Sequence, residues 1–263
     1  MCALPENTYV QLKKEDAIAY VTLTSPPANA LSQNLLQEIG VIFNKLKDDS
    51  EVKAVVLHGE GRFFAAGADI KEFTKVKDGV AFQELSRKGQ VIFDEIEAFT
   101  KPVIAVIHGA ALGGGLELAM ACHIRLAAEN AKLGMPELQL GLIPGFAGTQ
   151  RLPKLVGKAK ATELLLTSDP VTGTEAAKIG LVNHAYPEET LLEEGKKLAK
   201  KVAQKGTVSV RYTLDLLAYG EKEGHEAGQA KEAESFGVVF ETEDAKEGIQ
   251  AFLEKRKPDF KGK

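Results

Sequence analysis

The sequence predicts an α/β fold, and three observations carry that prediction. Residues 52–57 (VKAVVL) and 103–107 (VIAVI) are short, almost wholly apolar runs, the composition of strands buried on both faces in a parallel sheet. Between them a helical pattern carries Ile92, Phe93 and Ile96, so strand, helix and strand follow one another as parallel pairing requires. Each run then enters a glycine-rich turn, HGEGRFFAAGAD after the first and HGAALGGGLE after the second. Flexible backbone is therefore expected along one side of the sheet.

Taken in order, residues 9–12 and 17–24 read as two strands about the polar triplet Lys14, Glu15 and Asp16, a hairpin. The two prolines of SPPANA end it. From Ser32, an N-cap residue, Leu35, Leu36, Ile39, Ile42, Phe43 and Leu46 recur at helical spacing. The two buried strands follow, and the triple glycine at 113–115 opens a helix carrying Glu117. Beyond Gly145, residues 152–166 and 175–179 read as helices punctuated by Pro170 and Pro187. Residues 188–203, 208–218, 226–240 and 245–255 carry apolar stripes among mixed charges. The predicted organisation is an α/β core over 1–195 and a helical region over 196–263, packed partly on its own body and partly on a neighbouring subunit.

The chain has 263 residues, 44% apolar and 27% charged, enough for a sizeable core. Its net charge of -4 argues against nucleic acid as the main partner, because such binding leans on clustered Lys and Arg. No run of roughly 18 apolar residues is present to span a membrane. The first residues lack the basic region and apolar stretch of a leader, and Cys2 and Cys122 fit no metal or redox spacing. Two free thiols in a cytoplasmic protein are expected.

Several chemistries fail at named positions. After Gly59 and Gly61, the third glycine of a dinucleotide fingerprint would be Phe64; starting at Gly109, the second would be Ala111. Neither the phosphate-binding Gly-Lys-Ser/Thr turn nor the serine elbow G-x-S-x-G occurs. The five histidines form no ligand cluster, so no metal is expected. His58 and His108 both end apolar strands, either as locally bonded residues or as neighbours near a site. The glycines 113–115 either let a helix pack closely or leave a free N–H at its N-terminus, where the dipole favours a developing oxyanion. The small residues of FAAGAD at 64–69 offer a second donor. Glu117, amid LELAMA, is either a first-turn carboxylate or an acid/base group, and Glu137 after Pro136 either a surface residue or its partner. Paired carboxylates also suit glycoside hydrolysis, but the chain has no Trp and only five Tyr to stack sugars.

Three stretches, FFAAGADIKEF at 63–73, KPVIAVIHGAALGGGLELAMACHIRLAAENAKLGMPELQLGLIPGFAGTQRLP at 101–153 and TGTEAAKIGLVN at 172–183, closely resemble the crotonase superfamily and, within it, the enoyl-CoA hydratases. The resemblance implies a spiral core of repeated ββα units and a C-terminal helical trimerisation region, assembled as a trimer or a dimer of trimers. It implies reversible addition of water to a trans-2-enoyl-CoA, as in fatty-acid β-oxidation, with coenzyme A part of the substrate and no separate cofactor. In that likeness the amides of Ala68 and Gly114 hold the thioester oxygen, Glu117 and Glu137 are the acid/base pair, and Gly145 helps place the water. Ala66, Asp69 and Ile70 line the CoA adenine pocket, largely through backbone, and Lys255 lies near the CoA phosphates. Carrying both carboxylates separates a hydratase from many relatives. The alternatives are a 3,2-enoyl-CoA isomerase, a 3-hydroxybutyryl-CoA dehydratase, or an RNA-binding relative using Lys45, Lys47 and Lys53, which Asp48, Asp49 and Glu51 dilute. Two carboxylates close together in a dry site are expected to share a proton. His123 stands where relatives are usually acidic, and Phe146 stands where they carry a small residue, which is expected to reshape the acyl pocket.

Overall fold

The computed structural model describes residues 9–263; Cys2 lies outside them. The chain enters as the expected hairpin, β1 (Val10–Glu15) and β2 (Ile18–Leu23), with Glu15 opposite Ile18. That register moves the turn from the polar triplet to Asp16 and Ala17, both with positive φ (52° and 61°). Two left-handed residues give a two-residue turn the twist that the flanking strands require.

Helix α1 (Gln33–Lys47) starts where the sequence places it: the Ser32 Oγ accepts the Leu35 N–H, and all six of the predicted apolar positions are buried. Strand β3 (Ala54–Gly59) then runs parallel to β2. The short α2 (Ile70–Phe73) and the long α3 (Gly79–Glu97) lead to β4 (Val103–Ile107), parallel to β3. Next come β5 (Ala110–Leu112), α4 (Gly114–Ala121), β6 (Ile124–Ala128), β7 (Lys132–Gly134) and a single 3-10 turn, Glu137–Leu140. Helix α5 (Gly148–Thr167) is broken at Gly157, where φ is 76°. The rest is β8 (Val171–Thr172), α6 (Gly173–Lys178), β9 (His184–Tyr186), α7 (Glu188–Ala203), α8 (Thr207–Glu223), α9 (His225–Phe240) and α10 (Glu243–Leu253).

The main sheet has the order β1-β2-β3-β4-β6-β9, parallel throughout except for the first pair, and a small second sheet has the order β5-β7-β8. The fold is therefore α/β, as predicted, with helices packed on the main sheet. A fully buried Leu, Ile or Phe contributes roughly 1.5–3 kcal/mol each. Leu57, Phe64, Phe93 and Ile96 are among many such residues here, so the core tolerates a buried charge elsewhere. Residue 195 falls inside α7, and Ala199 and Ala203 beyond it still belong to the core. Helices α8 and α9 pack on one another and leave Leu217 (68% exposed), Phe236 (72%) and, on α10, Phe252 (83%) uncovered. Among the described residues no helix is long and apolar enough to cross a membrane. The Cys122 thiol is free and buried, which pushes it up to about 12.

Candidate active site

The glycine-rich turns after β3 and β4 meet where the two sheets adjoin. The segment after β3 pairs with β5: the Ala65 N–H donates to the Ala110 carbonyl (3.2 Å) and the Leu112 N–H to the Ala65 carbonyl (3.1 Å). The same segment pairs with the chain before α1, through Leu31 N–H to Gly67 O (2.8 Å) and Asp69 N–H to Leu31 O (3.3 Å). Ala68 lies between these bonds, and among the described residues its N–H has no protein acceptor. Gly114, the first residue of α4, likewise donates to none, as a helix N-terminus dictates. Both residues line one cleft.

The two readings of the triple glycine divide among its members. Gly113 has φ 48° and ψ -124°, a conformation that side chains other than glycine's disfavour, and a Cβ there would sit 2.7 Å from a Glu137 carboxylate oxygen. At Gly115 a Cβ would overlap the Ala65 carbonyl, so this position serves close packing. Gly114 between them carries the free N–H.

Helix α4 is buried along its whole length, and Glu117 is 1% exposed. Its Oε1 accepts two N–H bonds, from Phe146 (2.8 Å) and Gly148 (2.7 Å), which the left-handed Ala147 between them (φ 71°) turns toward the same oxygen. Burial raises the Glu117 carboxyl from its usual 4.5 to about 7; the Gly148 N–H opposes, the Glu137 charge adds, and the Phe146 N–H and the Arg151 cation oppose in turn. Glu137 opens the 3-10 turn, and burial raises it too. Its Oε2 is buried without a protein donor among the described residues. Both carboxylates line the cleft, and both lean toward the protonated form.

The remaining expectations sort by position. Ala66, Ile70 and Gly145 line the cleft. The Gly145 carbonyl is held by Ser86 Oγ (2.5 Å) and Gln90 Nε2 (3.0 Å) of α3. Asp69 does not line it: its carboxylate caps α2 by accepting the Lys71 N–H (3.0 Å). Lys255, just past α10, does not line it either. Phe146 is buried against Phe93, ring centroids 5.3 Å apart and edge to face, and a Cβ at Gly89 would overlap its ring. His58 and His108 are neighbours but line a separate crevice; His58 bonds Thr22 (3.0 Å) and His108 bonds the Gly61 carbonyl (2.9 Å), so the local reading holds. His123 Nδ1 accepts the Val103 N–H (2.9 Å), and burial lowers its pKa to about 4, so it is neutral and outside the cleft. No group of three or more metal-ligating side chains occurs among the described residues.

Sequence reasoning gave no role to Arg151. It is 4% exposed and donates from Nη1 to the Phe146 carbonyl (2.8 Å), from Nη2 to Asp94 (2.7 Å) and from Nε to Glu97 (2.9 Å). A cation in the first turn of a helix opposes the dipole, which was the available sign that it needs anionic partners.

The chain is similar to known proteins over nearly its whole length. The family described as enoyl-CoA hydratase/isomerase matches residues 13–263. A probable enoyl-CoA hydratase of Bacillus subtilis (strain 168) is 53% identical, covering 96% of this chain and 98% of that protein. A crotonyl-CoA hydratase of Syntrophomonas wolfei is 45% identical over 95% of this chain and 96% of its own length. The crystal structure of an enoyl-CoA hydratase from Bacillus anthracis superimposes with a TM-score of 0.94 at 35% identity, covering 97% of this chain and 100% of that one.

Proposed function

The chain belongs to the enoyl-CoA hydratase/isomerase family, and from that premise we propose that it adds water reversibly to a trans-2-enoyl-CoA, giving the 3-hydroxyacyl-CoA. The observation that carries this reading is the pair of carboxylates, Glu117 buried and Glu137 half-buried with its Oε2 inside, in a cleft that also presents the N–H groups of Ala68 and Gly114, unpaired among the described residues.

In this reading the thioester oxygen accepts both N–H groups, which draws electron density from the double bond and leaves C3 electrophilic. Glu117 takes a proton from water as its oxygen attacks C3; with two N–H bonds on Oε1 its carboxylate is the better supported of the two, and Oε2 is left for the water. The π electrons move toward C2 and the thioester carbonyl as an enolate. Glu137, with neither a backbone donor nor a cation on Oε2, holds a proton and delivers it to C2 as the carbonyl reforms. Gly145, its carbonyl anchored on α3, borders the water. Coenzyme A enters as part of the substrate, past the exposed Ile70, Leu140 and Ile143, and no separate cofactor takes part. Incubation with crotonyl-CoA is expected to remove the conjugated enoyl thioester absorbance; no loss, or faster conversion of a 3-enoyl-CoA than of the 2-enoyl one, would overturn the assignment.

The buried Phe146 lines the cleft beside Leu31 and Gly114. Short acyl chains fit this reading. Phe146→Ala is expected to raise kcat/KM for eight-carbon relative to four-carbon enoyl-CoA by about tenfold or more, since each buried methylene is worth about 0.8 kcal/mol. A chain-length profile unchanged from wild type would show that the ring sets no limit. We further assign the uncovered apolar side chains of α8, α9 and α10 to contacts between subunits in a trimer or dimer of trimers, because so many large exposed apolar groups are rare on a monomer's surface.

A further inference from the structure

We infer that Arg151 is the positioning residue of the Glu117 carboxylate. The guanidinium joins three parts of the fold: Asp94 and Glu97 on α3, the carbonyl of Phe146, and its own helix α5. Phe146 is also the residue whose N–H, together with that of Gly148, holds Glu117. The turn 146–148 is thus gripped on its carbonyl side by Arg151 and grips Glu117 on its amide side. Ala147 sits in the left-handed region (φ 71°), which a non-glycine residue keeps only when its surroundings hold it. Three donors at fixed angles suit a planar guanidinium and not an ammonium. Arg151 does not line the cleft, so it acts through Glu117 and not on substrate.

The charges acting on this carboxylate are Glu137, on the 3-10 turn, and Arg151, on α5. Asp94 and Glu97 of α3 face the Arg151 guanidinium, with Arg87 4.0 Å from Asp94. On α4's own end Cys122 is a neutral thiol. Without Arg151, two carboxylates on α3 would lose their shared cation, and ionising Glu117 would become harder.

The inference rests on the hydratase reading, and its test separates the two. Wild type, Arg151→Met, Arg151→Lys and Asp94→Asn are assayed with crotonyl-CoA across pH, with folding checked by circular dichroism. In Arg151→Met, kcat is expected to fall about 10- to 100-fold, with KM within about twofold of wild type. The acid limb of its pH profile should move to higher pH. Arg151→Lys keeps the charge without the fork, so kcat falls while the limb stays near that of wild type. Asp94 is half-exposed, so Asp94→Asn loosens the fork without orphaning a buried charge and should lower kcat by a smaller factor. A folded Arg151→Met with wild-type kcat and profile would overturn the inference. So would an effect on KM alone or, if that variant does not fold, wild-type kcat in both Arg151→Lys and Asp94→Asn. Inactive wild type, or full activity in Glu117→Gln, would instead sink the hydratase reading beneath it.

Discussion

Glu117→Gln is expected to lower kcat for crotonyl-CoA hydration by about 10²- to 10⁴-fold, the range of a general acid/base group. The amide oxygen can still accept the Phe146 and Gly148 N–H groups, so the fold should survive while the proton acceptor is lost. The same substitution has a readout independent of catalysis. Folding raises the Glu117 carboxyl from 4.5 to about 7, so between those values the native state holds a proton that the unfolded chain has released. Its contribution to stability is fully present below the unfolded value and is lost as pH rises through the folded one, at about 1.4 kcal/mol per unit of separation. Glu117→Gln should therefore gain stability relative to wild type between about pH 5 and about pH 8 in denaturant titrations. A difference that stays constant across that window would contradict the buried, proton-holding carboxyl. Glu137→Gln should fall in the same kinetic range; retention of full rate by both variants would remove the acid/base pair from the mechanism.

Gly113→Ala is expected to cost about 10²- to 10³-fold in kcat, the loss seen when one oxyanion donor is withdrawn. The added methyl would lie 2.7 Å from a Glu137 carboxylate oxygen, and the backbone at φ 48° and ψ -124° disfavours any side chain. Relaxing either conflict turns the following peptide, which carries the Gly114 N–H, or pushes Glu137 aside. The variant should also unfold earlier. A folded Gly113→Ala with wild-type kcat would mean that neither the Gly114 donor nor Glu137 is placed by this turn.

Much of the fold was legible because its large elements carry strong periods. The six marks of α1 and its Ser32 cap survive intact, and 103–107 is β4 to the residue. What escaped is short or interrupted. Strand β6 (IRLAA) contains Arg125, which breaks the apolar run; its guanidinium is buried against the carbonyls of Leu181 and Cys122. Strands β5, β7 and β8 have three residues or fewer, too few to show alternation.

The site divides the same way. Glu117, Glu137 and the glycines are conspicuous as residues, and their chemistry could be named on sight. The donors to Glu117 are backbone N–H groups about thirty positions further on, and backbone groups leave no mark in composition. Asp69 shows a sign that was there to be read: an acidic residue three positions before Glu72, ahead of a short helix, has the form of a cap, and capping is what its side chain does.

The hydrogen bonds between residues 65–69, the β5 strand and Leu31 have a thermal consequence. Ala68 and Gly114 hang from one ladder, Ala65 paired to Ala110 and Leu112 on one side and the 67–69 segment paired to Leu31 on the other, so neither amide can swing without opening bonds that belong to the other. The two dipoles are fixed when the chain folds and need no reorientation as charge reaches the thioester oxygen, where free water molecules would have to turn. Their alignment should therefore persist on warming until this part of the ladder itself melts, and fail together when it does.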